Sequence, residues 1–532
     1  MKVHLFLQAM RFAALLLLLP QASHSEVAIG AVDQLPIEEK NLTWDETRQR
    51  HTVITQLPPR DTNARLPSPK SRTPEHERSA LRLLNQWLSQ GTAAGFHGLI
   101  YDNRDNNHSP AEMAIYPGLL ATSYAKPLHK KGLTRGVAND ILFDRSVIGN
   151  SSTAFKNDLF ARSLVRHMMT QPNGPTHAWQ NYISNHLYTY PEHRDHDAID
   201  LYPANWPYTF SSQGSSYKDQ PFVQAALWAL AAMTPETRAF VERERLIGPT
   251  LQMILRRSQA HIRTRAAYQS GPAHPSAFDQ AALRLDRVVS TAHALRPETV
   301  PAMPVIKVLS DDFTPKAGLL QRSERLFDTP GAVARIWRGW EWEKELIVAA
   351  EAVGPAKDTP EQLTWVLLRG DPERVQITPL DAKGQRARIT VNWQDRRALD
   401  RTGARESDRV DIGIFVHSEP FDSAPAFISV VFPTHQNRTY SSDPEGTPRL
   451  ASIDYSTPTK RQNHDPALFW SAPWRDVFSY SASQQLEGWH RHYVDGRSKA
   501  YITQQDWLSQ GGNSALRRDT TQPDFVWIND TP

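Results

Sequence analysis

The sequence predicts a multidomain α + β protein, with a mainly α-helical N-terminal domain that carries long loops and an antiparallel immunoglobulin-like β-sandwich behind it. Apolar residues recur at helical spacing between 73 and 300, whereas short runs rich in Val, Ile and Trp follow beyond 301. The predicted organisation is a signal peptide over 1–25, an extended segment with a Pro-rich linker over 26–72, a helical domain over 73–300, the sandwich over 301–440, and a polar, Trp-containing segment over 441–532 that packs on the sandwich.

The first residues have the order of a secretory leader. Lys2 and Arg11 supply positive charge, 12–19 form a short apolar run, and small residues at Ser23 and Ser25 suit cleavage. The run is too short to span a bilayer, and no later stretch of the sequence is long and apolar enough. We therefore expect a secreted or periplasmic protein that has no transmembrane anchor after cleavage.

Cysteine usage and charge narrow the classes of function. The 532 residues include no cysteine, which excludes disulfides, thiol catalysis and cysteine-ligated zinc. Loss of Lys2 and Arg11 with the leader lowers the formal net charge from +3 to about +1. A nearly neutral chain argues against a dedicated nucleic-acid surface.

Helix signals are clearest in two parts of the predicted helical domain. Thr73 and Pro74 open a helix whose apolar face repeats to Leu88 and which ends at Gly91. Asp219 is predicted to cap a second helix, and further helices follow from Thr234, from about 248, and over 279–295. The intervening 95–215 stretch is predicted to be long, polar, irregular insertions, which in a compact domain are often functional.

The strands beyond 301 include a pattern that resembles the polycystic kidney disease (PKD) type of immunoglobulin-like domain. The resemblance rests on Leu363-Thr364-Trp365, Gly370-Asp371, Val375-Gln376-Ile377 and Ala387-Arg388-Ile389-Thr390-Val391. It implies a core tryptophan followed by a Gly-Asp turn, although Leu368-Arg369-Gly370-Asp371 replaces the usual Phe-Gly-Asp-Gly loop. Such domains are mostly spacers or binders, so the resemblance implies context rather than catalysis.

The whole chain also resembles an uncharacterised group of secreted environmental bacterial proteins. The matching segments are 101–105, 148–152, 190–197 and 212–216. This resemblance implies export and a similar domain layout, and it implies no mechanism.

The densest polar cluster of the sequence follows Glu192. Two imidazoles with interleaved carboxylates could act as metal ligands, as a general base, or as both. The candidate catalytic residues are His193, Arg194, Asp195, His196 and Asp197, and the candidate metal ligands are His193, His196 and Asp197. Without cysteine such a site would use nitrogen and oxygen ligands, which suit Zn, Ca or Mn. The alternative is a solvated cluster of mutually paired charges.

Two other clusters are candidates for substrate binding. The first is Asp102, Asn103, Arg104 and Asp105, whose oxygens could hold calcium but which equally suit an Asx-rich turn. The second is Ser212, Gln213, Ser215 and Ser216, which precede a predicted helix start and could hold an anion, or simply cap the helix.

Together these patterns indicate a metal-assisted hydrolase or lyase that acts on an extracellular polymer, a polysaccharide more readily than a protein. In this hypothesis a histidine of the 193–196 cluster is the base or a ligand, and Arg104 or Arg194 neutralises an acidic group. The alternative is a non-catalytic protein that binds an extracellular polymer or a component of the cell envelope, which the sandwich and the absence of a specific catalytic motif favour. Convergence of the polar loops on a concave pocket would favour the enzyme, whereas dispersed loops and an exposed aromatic strip on the sandwich would favour the binding protein.

Overall fold

The computed structural model describes residues 34–56, 66–70, 72–138, 140–155, 164–192, 200–318, 322–354, 362–399, 405–433, 436–455, 470–471, 474–501 and 526–527. The predicted signal peptide and the His193–Asp197 cluster lie outside these residues. Among the described residues, no helix is long and apolar enough to cross a membrane.

The N-terminal half alternates short strands with helices. Its strands are β1 (Gln34–Ile37), β2 (Thr43–Asp45), β3 (Arg50–Val53), β4 (Ile100–Asn103), β5 (Leu120–Tyr124), β6 (Ile141–Phe143), β7 (Val147–Asn150), β8 (His186–Glu192) and β9 (Thr209–Gln213). Its α-helices are α1 (Glu75–Gln90), α2 (Lys126–Lys130), α3 (Val165–Met168), α4 (Gly174–Ile183), α5 (Gln220–Ala232), α6 (Pro235–Arg243), α7 (Ile247–Arg257), α8 (Arg265–Tyr268) and α9 (Leu285–Ala294). Short 3-10 helices lie at Glu39–Asn41, Met113–Ile115, Gly271–Ala273, Gln280–Ala282 and Pro297–Thr299.

Six of these strands form one sheet in the order β1-β5-β4-β7-β8-β9, and every neighbouring pair in it is parallel. A smaller sheet, β2-β3-β6, lies beside it. Helix α5 is apolar around most of its circumference and packs on β7 and β8, while α1 and α9 pack on α5. This layering, helices against a parallel sheet, is that of an open α/β fold.

The predicted mainly helical N-terminal domain is therefore wrong. Strand exceeds helix in the structure, 37% against 24%, and the stretch that the sequence suggested to be irregular insertions supplies five of the six parallel strands. The physical reason is burial on both faces. Strand β7 is buried at all four of its positions and β8 at all seven, so their sequences lack the alternation that marks a half-exposed strand.

The C-terminal half is built of strands. They are β10 (Met303–Asp311), β11 (Arg325–Thr329), β12 (Ala332–Ile336), β13 (Glu343–Val353), β14 (Gln362–Arg369), β15 (Val375–Pro379), β16 (Arg386–Asn392), β17 (Arg397–Ala398), β18 (Glu406–Ser407), β19 (Arg409–His417), β20 (Ala426–Val431), β21 (Gln436–Ser442), β22 (Pro448–Tyr455), β23 (Trp470–Ser471), β24 (Trp474–Tyr480), β25 (Leu486–Tyr493), β26 (Ser498–Tyr501) and β27 (Val526–Trp527).

Two of the resulting sheets face each other across a hydrophobic core. One has the order β10-β13-β16-β15 and the other β11-β12-β20-β19-β14. The second sheet is not wholly antiparallel as the sequence suggested, because β12 and β20 pair in parallel. Trp337 and Trp393 are buried in this core, whereas Trp365, the tryptophan of the PKD-like pattern, is only partly buried and donates from Nε1 to the Gly384 carbonyl at 2.8 Å.

The polar segment after 436 contains a third sheet of its own. Strands β21, β22, β24, β25 and β26 form an antiparallel sheet in that order. One face of it buries Trp474, Phe478 and Trp489 against Trp340 of the sandwich. Alternation of buried and exposed residues along β24 is the expected pattern of a sheet that is covered on one face.

The parallel sheet unit and the sandwich share a buried boundary. Phe415 and Phe427, on the outer face of the second sandwich sheet, belong to the same hydrophobic core as the parallel sheet. Tyr208 reaches across to Thr329 with an oxygen–oxygen distance of 2.6 Å. The sandwich and the α/β unit therefore pack against each other through a shared hydrophobic core.

Candidate functional site

The order of the parallel strands reverses around β4. The chain passes from β4 to β5 on one side of it and then crosses to β7 on the other side. In open α/β sheets such a reversal leaves a crevice outside the carboxyl ends of the strands, where ligands bind. The residues that follow β4 and β7 are therefore the first to consider.

A histidine and an aspartate pair in the loop after β4. His108 Nδ1 lies 3.3 Å from Asp105 Oδ2, and the side chain of His108 is 52% exposed against 16% for Asp105. Asp105 is held from the other side, because Ser152 after β7 donates to the same oxygen from its hydroxyl and from its amide at 3.3 Å. If Nδ1 carries the proton toward Asp105, Nε2 keeps a lone pair on a half-exposed ring. We call Asp105 and His108 the dyad.

The loop that carries the dyad is a tight turn built by Asn103. Asn103 Oδ1 accepts from the amides of Asp105 at 3.1 Å and Asn107 at 2.9 Å, and Nδ2 donates to the carbonyl of His108 at 2.9 Å. These are the bonds of an Asx-rich turn. Asn106, Asn107 and Ser109 have φ values of 49°, 63° and 51°, so three residues without the freedom of glycine occupy the left-handed region beside the dyad.

Asp102 and Arg104, both predicted to bind substrate, lie beneath this surface. Both side chains are fully buried and form an ion pair with each other. Asp102 also accepts from the hydroxyls of Thr122 and Tyr124 at 2.7 Å and of Tyr188 at 2.6 Å. The predicted neutralisation of an acidic substrate group by Arg104 does not fit this arrangement, because the guanidinium has no exposed surface.

A second carboxylate approaches the dyad loop from the start of α5. Asp219 is the residue before α5, and its Oδ2 accepts from Asn150 Nδ2 at 2.6 Å instead of capping the helix amides as predicted. Its Oδ1 is buried and has no hydrogen-bond partner among the described residues. Burial is the largest cause that raises the pKa of Asp219 to about 6, and the negative charge of Asp105 adds to the increase.

The serine-rich segment after β9 borders the same edge but divides into buried and exposed parts. Ser212 is buried, and Gln213 donates to the carbonyl of Ala277 at 3.2 Å. Ser215 is exposed and Ser216 is partly exposed. The following residue, Tyr217, is 59% exposed, has a φ of 71° and places its ring centroid 6.3 Å from that of His108.

The predicted 193–197 cluster would begin at this edge, since Glu192 ends β8. Glu192 is buried, its carbonyl accepts from the amide of Gly214 at 3.1 Å, and its carboxylate lies 3.4 Å from Arg166. His193, Arg194, Asp195, His196 and Asp197 themselves lie outside the described residues, and their catalytic and metal-binding roles stay predictions. Within the part of the chain that the structure describes, no group of three or more His, Asp or Glu side chains is arranged to hold a metal ion.

A second concavity lies at one end of the sandwich. It is a polar cleft of about 560 Å³ whose lining includes Gln394, Asp395, Arg396, Glu406, Asp408 and Arg438. Most of these charges are already engaged: Arg396 pairs with Glu406 at 3.4 Å, and Arg438 rests on the ring of Trp393 at 3.8 Å. Because Arg438 covers that ring, the cleft offers no open aromatic platform here.

Sequence reasoning placed His108 at the end of the polar cluster that begins at Asp102 but gave it no catalytic role, and it missed Asn150, Ser152 and Tyr217 as functional candidates. The available signal was position: a polar residue placed directly after a short apolar run, as at Val147-Ile148-Gly149-Asn150, marks the carboxyl end of a parallel strand. This signal can be used only after the strands have been recognised. The sequences of these strands lack the alternation of apolar and polar residues that would identify them.

No family model and no curated protein matches the chain. Among solved structures, the chain has a distant likeness to a nucleoside hydrolase-related hypothetical protein from Saccharophagus degradans that is associated with carbohydrate metabolism. The two share 10% identity, with 54% of this chain and 71% of that chain covered at a TM-score of 0.19. At that score the likeness supports neither a fold nor a function for this chain.

Proposed function

We propose that the protein is a hydrolase that cleaves a C–O bond in a carbohydrate polymer, with the dyad of Asp105 and His108 as its general base. The observation that carries this proposal is the dyad itself, a half-exposed imidazole oriented by a carboxylate at the reversal point of a parallel sheet. A histidine that is oriented in this way is a common general base in enzymes.

The chemistry follows from the two ring nitrogens of His108. Nε2 would accept a proton from a water molecule as its oxygen attacks the carbon of the scissile bond, and Asp105 would stabilise the imidazolium that forms at Nδ1. The imidazolium would then give its proton to the departing oxygen, which leaves as an alcohol. The bonds from Ser152 to Asp105 keep the carboxylate in place during both transfers.

The exposed ring of Tyr217 favours a substrate that contains a sugar ring. An exposed aromatic ring beside the base offers a flat apolar face to a sugar ring, and the positive φ of Tyr217 indicates that the surrounding structure holds it in an unfavourable backbone conformation. The predicted export of the protein, which also remains a proposal, would give it access to polymers outside the cell.

The metal-assisted form of this hypothesis is a separate proposal. It rests on the sequence alone, in which His193, His196 and Asp197 follow the end of β8. Elemental analysis of the purified protein before and after chelation tests it: one stoichiometric equivalent of metal that is lost in His193→Ala would support it, and no bound metal would contradict it.

The test of the hydrolase is a screen of the full chain against soluble glycans and acetylated glycans, with release of reducing ends and of acetate as readouts. For the best substrate, His108→Gln and Asp105→Asn should each lower kcat/KM at least about a hundredfold, because general-base catalysis is worth that much. His490→Gln, the same change at an exposed histidine of β25, is the matched control and should leave kcat/KM unchanged.

Three outcomes would contradict the proposal. Activity that survives in both dyad variants would place the chemistry elsewhere. An unsaturated, ultraviolet-absorbing product would identify a lyase. Retention on glycans without turnover by any variant would favour the alternative, a protein that only binds.

A further inference from the structure

The side-chain amides of Asn150, which is buried, and Asn103, which is partly buried, connect Asp219 to the dyad loop. Asp219 Oδ2 accepts from Asn150 Nδ2 at 2.6 Å. Asn150 Oδ1 accepts in turn from the hydroxyl of Tyr101 at 2.7 Å and from Asn103 Nδ2 at 3.3 Å. Asn103 then binds the backbone of Asp105, Asn107 and His108. Three consecutive links therefore run from the start of α5 to the two residues of the dyad.

Asn150 also secures the far end of the loop. Its Nδ2 donates to the carbonyl of Ser109 at 3.0 Å, and Gln220, the first residue of α5, donates to the same carbonyl at 2.6 Å. The end of the loop is thus held both from β7, through Asn150, and from α5, through Gln220. A turn with three left-handed residues persists only where the surrounding contacts hold it.

Helix capping does not explain why an aspartate occupies position 219. Its side chain makes no cap bond to the helix amides, and Oδ1 has no hydrogen-bond partner among the described residues although the residue has no exposed surface. A buried carboxylate that lacks part of its hydrogen bonding costs stability, so a purely structural position would favour asparagine. The cost suggests a role in the site.

We propose that Asp219 is a positioning residue that fixes the geometry of the dyad through the side chains of Asn150 and Asn103. The inference rests on the proposed function for its catalytic consequence, whereas the link between Asp219 and the loop can be measured without any activity. An ionised Asp219 is the strongest acceptor for Asn150, and that bond leaves Asn150 Oδ1 free to orient Asn103.

Electrostatic interaction is a second way in which Asp219 and the dyad affect each other. Two neighbouring groups change the pKa of Asp219 by their charge: Asp105 raises it and His108 lowers it. The buried hydroxyl of Tyr101 also interacts with Asp219. The dyad and Asp219 are thus coupled by charge as well as by the side-chain amides.

The test compares Asp219→Asn with Asp279→Asn, the same change at an exposed aspartate whose carboxylate caps the Gln280–Ala282 helix. Full-length protein with labelled asparagine and histidine would be titrated by NMR. In the wild type, the side-chain amides of Asn150 and Asn103 should shift with pH as Asp219 ionises. In Asp219→Asn they should lose that dependence. Asp279→Asn should match the wild type.

A second variant keeps the test decisive if Asp219→Asn folds poorly. Asn150→Ser retains Asp219 and cuts the amide chain, so the signals of Asn103 should no longer follow the ionisation of Asp219. With the substrate from the screen, both variants should lower kcat about tenfold and leave KM nearly unchanged.

The outcomes separate the two proposals. Unchanged amide titrations in Asp219→Asn would overturn the positioning role, whatever the activity. If the titrations change as expected while no carbohydrate is hydrolysed by any form of the protein, the positioning role stands and the proposed function fails.

Discussion

At the residue scale, Asp219 is an acid whose proton equilibrium is tied to folding. Its pKa rises from the ordinary value of 3.8 to about 6 because burial penalises the charged form. The folded chain therefore binds more protons than the unfolded chain between about pH 4 and 6. The stability that the neutral acid contributes is complete below about pH 4 and is lost as the pH rises through about 6.

The Asp219→Asn variant should not lose this stability as the pH rises, because asparagine does not ionise. We expect the variant to gain stability relative to the wild type as the pH increases from 4 to 7.5, by up to about 3 kcal/mol. Urea unfolding at both pH values checks this, with Asp279→Asn as the control. A difference in the free energy of unfolding that is independent of pH would show that the pKa of Asp219 is the same in the folded and the unfolded chain.

Tyr217 is expected to act on binding rather than on chemistry. Tyr217→Ala removes an exposed ring and should raise KM about three- to tenfold while kcat changes little. The kinetics on the substrate from the screen would show this. A fall in kcat alone would instead mean that the ring shapes the dyad.

Parts of the site were within reach of sequence reasoning at this scale. The Asp102–Asp105 cluster was identified, and the Asx-rich turn weighed as its alternative agrees with the bonds of Asn103. The division of roles was not visible, because residues of one short segment differ in burial: Asp102 and Arg104 are buried at the end of β4, while Asp105 and His108 lie in the turn that follows and are partly exposed. Only strand pairing determines which residue faces which way.

At the element scale, the central strands of the parallel sheet pack too closely for larger residues. A Cβ added at Gly149 in β7 would lie 2.3 Å from the carbonyl oxygen of Asp102 and 2.4 Å from the ring of Tyr188. The glycine thus lets β4 and β8 close on β7 beneath the dyad.

Gly149→Ala should therefore reduce stability by about 3 kcal/mol or more, because neither backbone nor buried ring can move away cheaply. Ser123→Ala, at an exposed position of β5, should change it by less than about 0.5 kcal/mol. Thermal unfolding of both variants measures the difference, and equal melting temperatures would contradict the described packing of β7.

The helices were easier to predict than these strands. α1 and α6 begin and end close to the residues that the capping and proline signals indicated, and the side chain of Thr234 accepts from the amide of Thr237 at 3.2 Å. The parallel strands lacked both alternation and caps, so the region between α1 and α5 appeared irregular. Since most of the site lies on that region, the error in the fold hid the site as well.

At the scale of the whole molecule, charged groups lie between the α/β unit and the sandwich. Arg409 and Asp411 on β19 pair at 2.7 Å, Arg369 on β14 pairs with Asp200, and Asp200 also lies 3.3 Å from Arg409. The side chains of Asp200, Arg409 and Asp411 are buried, and that of Arg369 is 13% exposed. Breaking such a network leaves an uncompensated charge in a dry interface.

Arg409→Met should lower the free energy of unfolding by about 3–5 kcal/mol. Arg388→Met, which removes a half-exposed arginine that pairs with Glu345, should cost less than about 1 kcal/mol. Unfolding followed by urea would compare them. If the two variants were equally stable, the interface between the two halves would not contribute as described.

The central claim is that ligand binds at the carboxyl ends of β4 and β7. The most direct measurement is a crystal structure of the His108→Gln variant in complex with the carbohydrate that the screen identifies. The expected result is a sugar ring against Tyr217, with the scissile oxygen within hydrogen-bond distance of the side chain at position 108. A ligand seated in the cleft of the sandwich, with the edge of the parallel sheet empty, would contradict the claim.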